Sequence, residues 1–154
     1  MLKAFLLVAG LGKRLRPVTD DIPKCLLPIN GKPLLQIWLE HLSNHGIDEV
    51  LINTHRLHER IEQFIATDYP SGIRKEKAIH PDGIVTTTSF HRAGGAGADS
   101  TEAKNLKTGK RKKIQWPEIR LFYEPELLGS AGTLLSNRDW VDDGNPFSFC
   151  TGIT

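Results

Sequence analysis

Residues 2–9 form an apolar run broken only by Lys3, and the run empties into Gly10-Leu11-Gly12-Lys13-Arg14-Leu15-Arg16-Pro17. An apolar stretch of this length without polar alternation suits a strand covered on both faces, the kind a parallel sheet contains. Such a strand needs a layer of structure on each side, which restricts the chain to a layered α/β fold or a closed core. The glycines add a chemical constraint. Without a Cβ they let backbone N–H groups approach an anion, and successive N–H groups form a nest for it. Arg14 and Arg16 add forked donors that match phosphate oxygens, and Lys24 adds a point charge. The stretch is therefore a candidate phosphate site. Generic phosphate motifs do not fit it: a dinucleotide fingerprint needs a glycine where Leu15 stands, and the Walker pattern needs a longer spacing ending in Gly-Lys-Ser/Thr. Taken alone, the glycine pair is equally an ordinary strand-to-helix turn.

The chain that follows repeats a strand–helix rhythm. Pro33 suits a first helical position, Leu34, Leu35, Trp38, Leu39 and Leu42 recur at helical spacing as a core stripe, and Gly46 suits a C-terminal stop. Glu49 to Asn53 predicts a second buried strand, and Leu57, Ile61, Phe64 and Ile65 predict a second amphipathic helix ending before Pro70. Ile119 to Tyr123 predicts a third strand and Pro146 to Cys150 a fourth. Strand, loop, helix, strand, helix is the order of a parallel α/β sheet, which binds ligands at the carboxyl ends of its strands. Asn53-Thr54-His55 lies at such an end, either as a functional cluster or as a helix cap made by Asn53 or Thr54, the plainer reading. His41 and His45 share a helical face at a spacing that suits a metal, but no third ligand accompanies them, and a solvated face fits better.

Two motifs together carry a family resemblance. The first is Gly10-Leu11-Gly12-Lys13-Arg14-Leu15-Arg16-Pro17 with Pro23-Lys24-Cys25-Leu26-Leu27-Pro28-Ile29. The second is Glu124-Pro125-Glu126-Leu127-Leu128-Gly129-Ser130-Ala131-Gly132. Both resemble the sugar-phosphate nucleotidyltransferases, enzymes that join a nucleoside triphosphate to a sugar 1-phosphate. The resemblance implies a Rossmann-like three-layer α/β/α fold with a mostly parallel sheet. It covers the nucleotide-binding half of that domain, with the sheet ending after about four strands, and an edge left open there predicts self-association or marginal stability. It implies nucleotide binding by Ala9, Gly10, Leu11, Gly12 and Lys13, with Glu124 near the base and the backbone of Gly129, Ser130, Ala131 and Gly132 lining the pocket. Gly129-Ser130 at a helix start would also expose unpaired N–H groups independently of any resemblance. Arg14 would serve the leaving pyrophosphate and Lys24 the α-phosphate and sugar phosphate. Arg16 would either join them or anchor the loop through Asp20 or Asp21.

The sequence departs from the family pattern at two places. The family commonly has Thr or Ser where Lys13 stands. It also uses Mg2+, held by an aspartate after a glycine at the end of the fourth strand. Here the chain reads Thr151-Gly152-Ile153-Thr154, and isoleucine cannot ligate a metal, so the magnesium ligands are not found. A nucleotide-binding or regulatory module that keeps the glycine loop without catalysis is the alternative function.

Residues 71–116 break the rhythm. They hold ten Lys and Arg against four Asp and Glu, so this stretch carries +6 and the remainder −4 of the net +2. A long basic connection with a Gly94-Gly95-Ala96-Gly97 run predicts a flexible insertion or a lid within one domain spanning 1–154. The Lys107–Lys113 cluster has no interleaved aromatics, so nucleic acid is disfavoured as a partner. Two cysteines at 25 and 150 predict neither a disulfide framework nor a metal cluster. No signal peptide or membrane span is expected, which makes the cytoplasm the default location. A homo-oligomer stays open.

Overall fold

The computed structural model describes residues 1–67, 73–79, 85–92, 102–104, 111–113 and 116–150. The apolar run becomes β1 (Lys3–Leu7), buried at every residue. A short antiparallel pair, β2 (Pro28–Ile29) and β3 (Lys32–Pro33), leads into α1 (Leu34–Asn44), then β4 (Glu49–Thr54) and α2 (His58–Thr67). The chain continues through β5 (Ile73–Ile79), β6 (Val85–Arg92), β7 (Glu102–Lys104) and β8 (Arg111–Lys113) to β9 (Glu118–Tyr123). It ends with α3 (Gly129–Ser136), α4 (Arg138–Val141) and β10 (Phe147–Cys150).

The main sheet has the order β10-β1-β4-β9-β6-β5. The four strands expected from the sequence, β10, β1, β4 and β9, are all parallel neighbours. Successive side chains alternate between the two faces, as the strand period of two requires. Ala4, Leu6, Val50, Ile52, Ile119 and Leu121 point to one core with Leu35, Leu39 and Leu42 of α1 and Ile61, Phe64 and Ile65 of α2. Phe5, Leu7 and Leu51 point to the other, under Trp140 of α4 with Leu134 of α3 packed against it. Burying each of these large side chains is worth about 1.5–3 kcal/mol relative to exposure. That double coverage is why an apolar run can be a strand here. The result is the expected Rossmann-like α/β arrangement, with helices on both faces of a mostly parallel sheet.

Several local expectations shift. Pro33 sits just outside α1, as its N-cap, and not at the first helical position. The other end of α1 closes as the sequence suggests: Gly46 has φ 78°, its N–H reaches Ser43 O at 3.0 Å, and Ile47 N reaches Leu42 O at 3.1 Å. This is the paired-bond helix stop that glycine permits. Leu57 does not begin α2 but precedes it in a left-handed conformation (φ 57°). Asn53 and Thr54 lie inside β4 and cap no helix, which corrects the plainer of the two readings of that tripeptide.

The segment 71–116 also departs from an unbroken irregular connection. Within it, β6 pairs antiparallel with β9 and β5 with β6, widening the sheet, while β7 and β8 form a separate two-stranded pair. Other residues of the segment, including Gly94–Gly97, lie outside those described, as do Gly152 and Ile153, the positions that the resemblance aligns with the family's glycine and aspartate. No helix among the described residues is long and apolar enough to cross a membrane.

Candidate nucleotide site

At the carboxyl end of β1 the backbone stops pairing with its neighbours and turns. Gly12 adopts φ 62°, ψ 21°, and the turn closes through Leu15 N to Gly12 O (2.9 Å) and Arg16 N to Lys13 O (3.5 Å). Those two bonds leave the N–H groups of Gly10 to Arg14 outside the turn's own pairing, the condition for an anion nest. A Cβ on Gly12 would stand 2.9 Å from Thr19 Cγ2, so a glycine is required there by space as well as by φ. Thr19 is buried, and its hydroxyl donates to Gly12 O at 2.8 Å, pinning the turn from beneath.

The turn forms one wall of a cleft of about 570 Å³. Gly10, Leu11, Gly12, Lys13, Arg14 and Leu15 supply that wall, and Lys24 and Leu127 complete the lining. Lys13 and Arg14 are exposed and Lys24 half-buried, so three cationic side chains from two separate turns share the cleft with the glycine backbone. Lys24 opens a single helical turn over Lys24–Leu26, held by Leu27 N to Lys24 O at 3.2 Å. Its neighbour Cys25 is the anchor of that turn: the side chain is wholly buried, and burial pushes its thiol up to about 12. Such a thiol is unreactive at neutral pH.

Not every residue singled out in the sequence reaches the cleft. Arg16 turns away, with Nε 3.2 Å from Asp20 Oδ1. Asp20 in turn receives Arg56 Nη2 on its carbonyl at 2.8 Å, tying the turn to the start of the α2 connection. The anchor role, through Asp20 and not Asp21, is the one the structure takes. Ala9 is buried, with its N–H directed to Asn53 Oδ1 at 3.4 Å. From the second motif only Leu127 lines the cleft. Gly129 (φ 69°) begins α3 a turn away, Ser130 and Ala131 are exposed, and Gly132 packs its Cα side against Leu128, where a Cβ would lie 2.8 Å from Leu128 Cβ. Glu124 is 1% exposed, with its carboxylate inside the protein.

Two residues behind the cleft join its turns: Asn53, which the sequence offered as part of a strand-end cluster, and Thr133, which sequence reasoning did not single out. Asn53 Nδ2 donates to Glu124 Oε1 at 3.0 Å, and the Thr133 hydroxyl contacts the same oxygen. The signal for Asn53 was its place at the carboxyl end of a strand; Thr133 offered none.

Lys13, Arg14, Lys24 and backbone N–H groups give the cleft an electropositive lining, chemistry that suits an anion. Among the described residues no carboxylate lines it, and no group of three or more His, Cys, Asp or Glu is placed to hold a metal. The lining therefore does not fit a magnesium ion on its own.

Comparison with known proteins converges on the same chemistry. A family model described as nucleotidyl transferase matches residues 3–151. Over 141 residues the chain is 40% identical to a UTP–glucose-1-phosphate uridylyltransferase of Synechocystis sp., covering 90% of this chain and 32% of that protein. Over 92 residues it is 37% identical to a D-glycero-alpha-D-manno-heptose 1-phosphate guanylyltransferase of Aneurinibacillus thermoaerophilus, covering 60% of this chain and 40% of that one. The chain thus spans 32–40% of the length of these two relatives. A solved UDP-glucose pyrophosphorylase in complex with UDP-glucose has the same fold, at TM-score 0.57 and 20% identity over 97% of this chain and 44% of that one. With a glycine turn and three cations at the carboxyl end of a parallel strand, and a family match that runs nearly end to end, the chain belongs to the nucleotidyl transferase family.

Proposed function

We propose that this chain is the nucleotide-binding part of a sugar-1-phosphate nucleotidyltransferase, and that the cleft beside β1 holds the triphosphate of a nucleoside triphosphate. The observation that carries the proposal is the joint lining of one cleft by Gly10–Arg14 and Lys24. Donors from two turns that converge on one volume suit a polyphosphate better than a single phosphate. The relatives, a glucose-1-phosphate uridylyltransferase and a heptose 1-phosphate guanylyltransferase, support the same class of reaction.

In the proposed reaction an oxygen of the sugar 1-phosphate attacks the α-phosphorus in line. A new P–O bond forms as the bond from the α-phosphorus to the bridging oxygen breaks, and pyrophosphate leaves with the electron pair. No protein nucleophile takes part, so the chain acts by positioning and by neutralising charge. Arg14 holds the departing pyrophosphate, and Lys24 bridges the α-phosphate and the incoming sugar phosphate. Gly10, Leu11, Gly12 and Lys13 place backbone donors along the triphosphate, and the start of α3 at Gly129–Gly132 flanks the base. The described residues of the lining offer no ligand set for magnesium. The same feature favours a second reading, a nucleotide-binding module without turnover.

A charge-assisted hydrogen bond is worth about 1.5–3 kcal/mol, or about 10- to 100-fold in affinity. Arg14→Ala and Lys24→Ala are each expected to weaken nucleoside triphosphate binding by that factor, measured by calorimetry with ATP, GTP, CTP, UTP and dTTP. Wild-type affinity in both variants would refute the site. Pyrophosphate release with a panel of sugar 1-phosphates then separates the enzyme from the binding module.

A further inference from the structure

We propose that Asn53 and Glu124 are positioning residues that lock the Gly10–Arg14 turn to the Leu128–Gly132 turn, an inference that rests on the nucleotide-site reading above. Asn53 is the penultimate residue of β4, which lies between β1 and β9, and is 4% exposed. Its Oδ1 accepts Val8 N at 2.8 Å and Ala9 N at 3.4 Å, the two residues that lead into Gly10. Its Nδ2 donates to Glu124 Oε1 at 3.0 Å. The Glu124 carboxylate carries the connection onward, with Oε2 accepting Leu128 N at 3.4 Å and Oε1 accepting the Thr133 hydroxyl. Glu124 is fixed at its own backbone too, through its N–H to Thr54 O (2.8 Å) and its carbonyl to His55 Nδ1 (2.8 Å).

A continuous chain of side-chain hydrogen bonds therefore runs from the backbone entering one turn to the backbone entering the other. Packing alone does not call for it. Exchanging a buried polar pair for apolar groups of the same shape is often neutral or stabilising. What Asn53 and Glu124 add is direction. A planar amide and a planar carboxylate, each bonded on both sides, fix the separation and tilt of the turns they join. Displacing donors by about 1 Å can cost about 100-fold in a positioned reaction, so two turns that share one ligand need such a lock. Preorganising them also lowers the ordering cost of binding. Neither residue lines the cleft, and both act through the turns they hold.

Asn53→Asp keeps the acceptor for Val8 and Ala9 but sets a second carboxylate against Glu124. Glu124→Gln keeps one oxygen and turns an N–H toward the Leu128 N–H. The double variant restores the pair with its polarity reversed, the Gln amide donating to the Asp carboxylate. Two readouts are needed: amide hydrogen exchange without ligand, and affinity for ATP, GTP, CTP, UTP and dTTP at a temperature where circular dichroism shows every variant folded. Asn53→Asp is expected to speed exchange at least tenfold at Leu128–Gly132 as well as at Val8–Gly12, and to weaken the best-bound nucleotide at least tenfold. The double variant is expected to return both to within threefold of wild type. Exchange confined to the Val8 side, unchanged affinity in the folded single variants, or no recovery in the double variant would overturn the lock. If the single variants do not fold, Thr133→Val, which exchanges the hydroxyl for a methyl group, is expected to speed exchange at Val8–Gly12, and unchanged exchange there would overturn it. If wild type binds none of the five nucleotides, the function proposed above fails, and the exchange data alone decide the lock.

Discussion

Gly12 combines a conformation and a contact that each disfavour any other residue. Its φ of 62° belongs to the left-handed region, which costs a residue with a Cβ about 1–2 kcal/mol. The added methyl would also meet Thr19 Cγ2 at 2.9 Å and Thr19 Cβ at 3.0 Å, on a buried side chain that cannot swing into solvent. Gly12→Ala is therefore expected to lower stability by at least 1–2 kcal/mol, about 2–8 °C in Tm for a chain of this size, measured by thermal melting. An unchanged melting temperature would contradict the turn geometry. The glycine pair was legible in the sequence as a tight turn. That Gly12 and not Gly10 carries the positive φ was not, because the reason lies in Thr19, seven residues on. Glu124 was likewise legible through its motif, whereas its bond to Asn53 spans 71 residues and leaves no local trace. Arg16 shows the reverse: Asp20 stands four residues away, within reach on one turn, and the ion pair could be anticipated.

Among the elements, β1 and β10 meet at a charged cluster on the end of the sheet away from the cleft. Lys3 is 2% exposed, an expensive place for an ammonium unless it is well partnered. Its Nζ contacts Asp143, donates to Trp140 O at 3.2 Å, lies 3.8 Å from Glu49 Oε2 and sits 4.8 Å from the centre of the Trp140 ring. Glu49 in turn accepts Trp140 Nε1 at 2.8 Å and pairs with Arg120 Nη2 at 3.3 Å. The hydrogen bond from Lys3 holds the Asp143 carboxyl down from 3.8 to about 2. A folded-state value below the unfolded one means the stabilisation is present above pH 3.8 and lost as pH falls from there toward 2. Asp143→Asn is thus expected to lower the urea midpoint at pH 7 and to flatten its decline between pH 4 and 2. An acid limb identical to wild type would contradict the Lys3 contact. Part of Asp143 faces solvent, so added salt should shrink the effect.

The four parallel strands were legible because each is a short apolar run bounded by turn signals. Lys3 was visible as an interruption, but its Asp143 partner is 140 residues away. β5 was hidden because Ile73-Arg74-Lys75-Glu76-Lys77-Ala78-Ile79 is mostly charged, and its place in the sheet comes from backbone pairing with β6. At the opposite edge, β10 pairs with β1 alone among the described residues, and Phe147 and Phe149 stay 39% and 40% exposed.

Across the whole molecule, the sheet separates two kinds of charged site. The amino ends of the parallel strands carry a closed cluster in which Lys3, Glu49, Arg120 and Asp143 are paired with one another. The carboxyl ends carry Lys13, Arg14 and Lys24 around an open cleft with no carboxylate among the described residues of its lining. Parallel sheets place their ligand sites at the carboxyl ends of their strands, so the position of the candidate cleft was legible once the strand order was read from the sequence. The convergence of Lys24 with Gly10–Arg14 was suggested by motif resemblance and not by spacing, since nothing local dictates where a turn ten residues on will fold back. The most direct test of the account is a titration of the uniformly labelled protein with ATP, GTP, CTP, UTP and dTTP, followed by amide chemical-shift mapping. The account predicts saturable shifts with at least one of these nucleotides, largest at Gly10–Arg14 and Lys24 and extending to Leu127–Gly132. Shifts confined to the basic 102–113 stretch, or no saturable shift with any of the five, would contradict it.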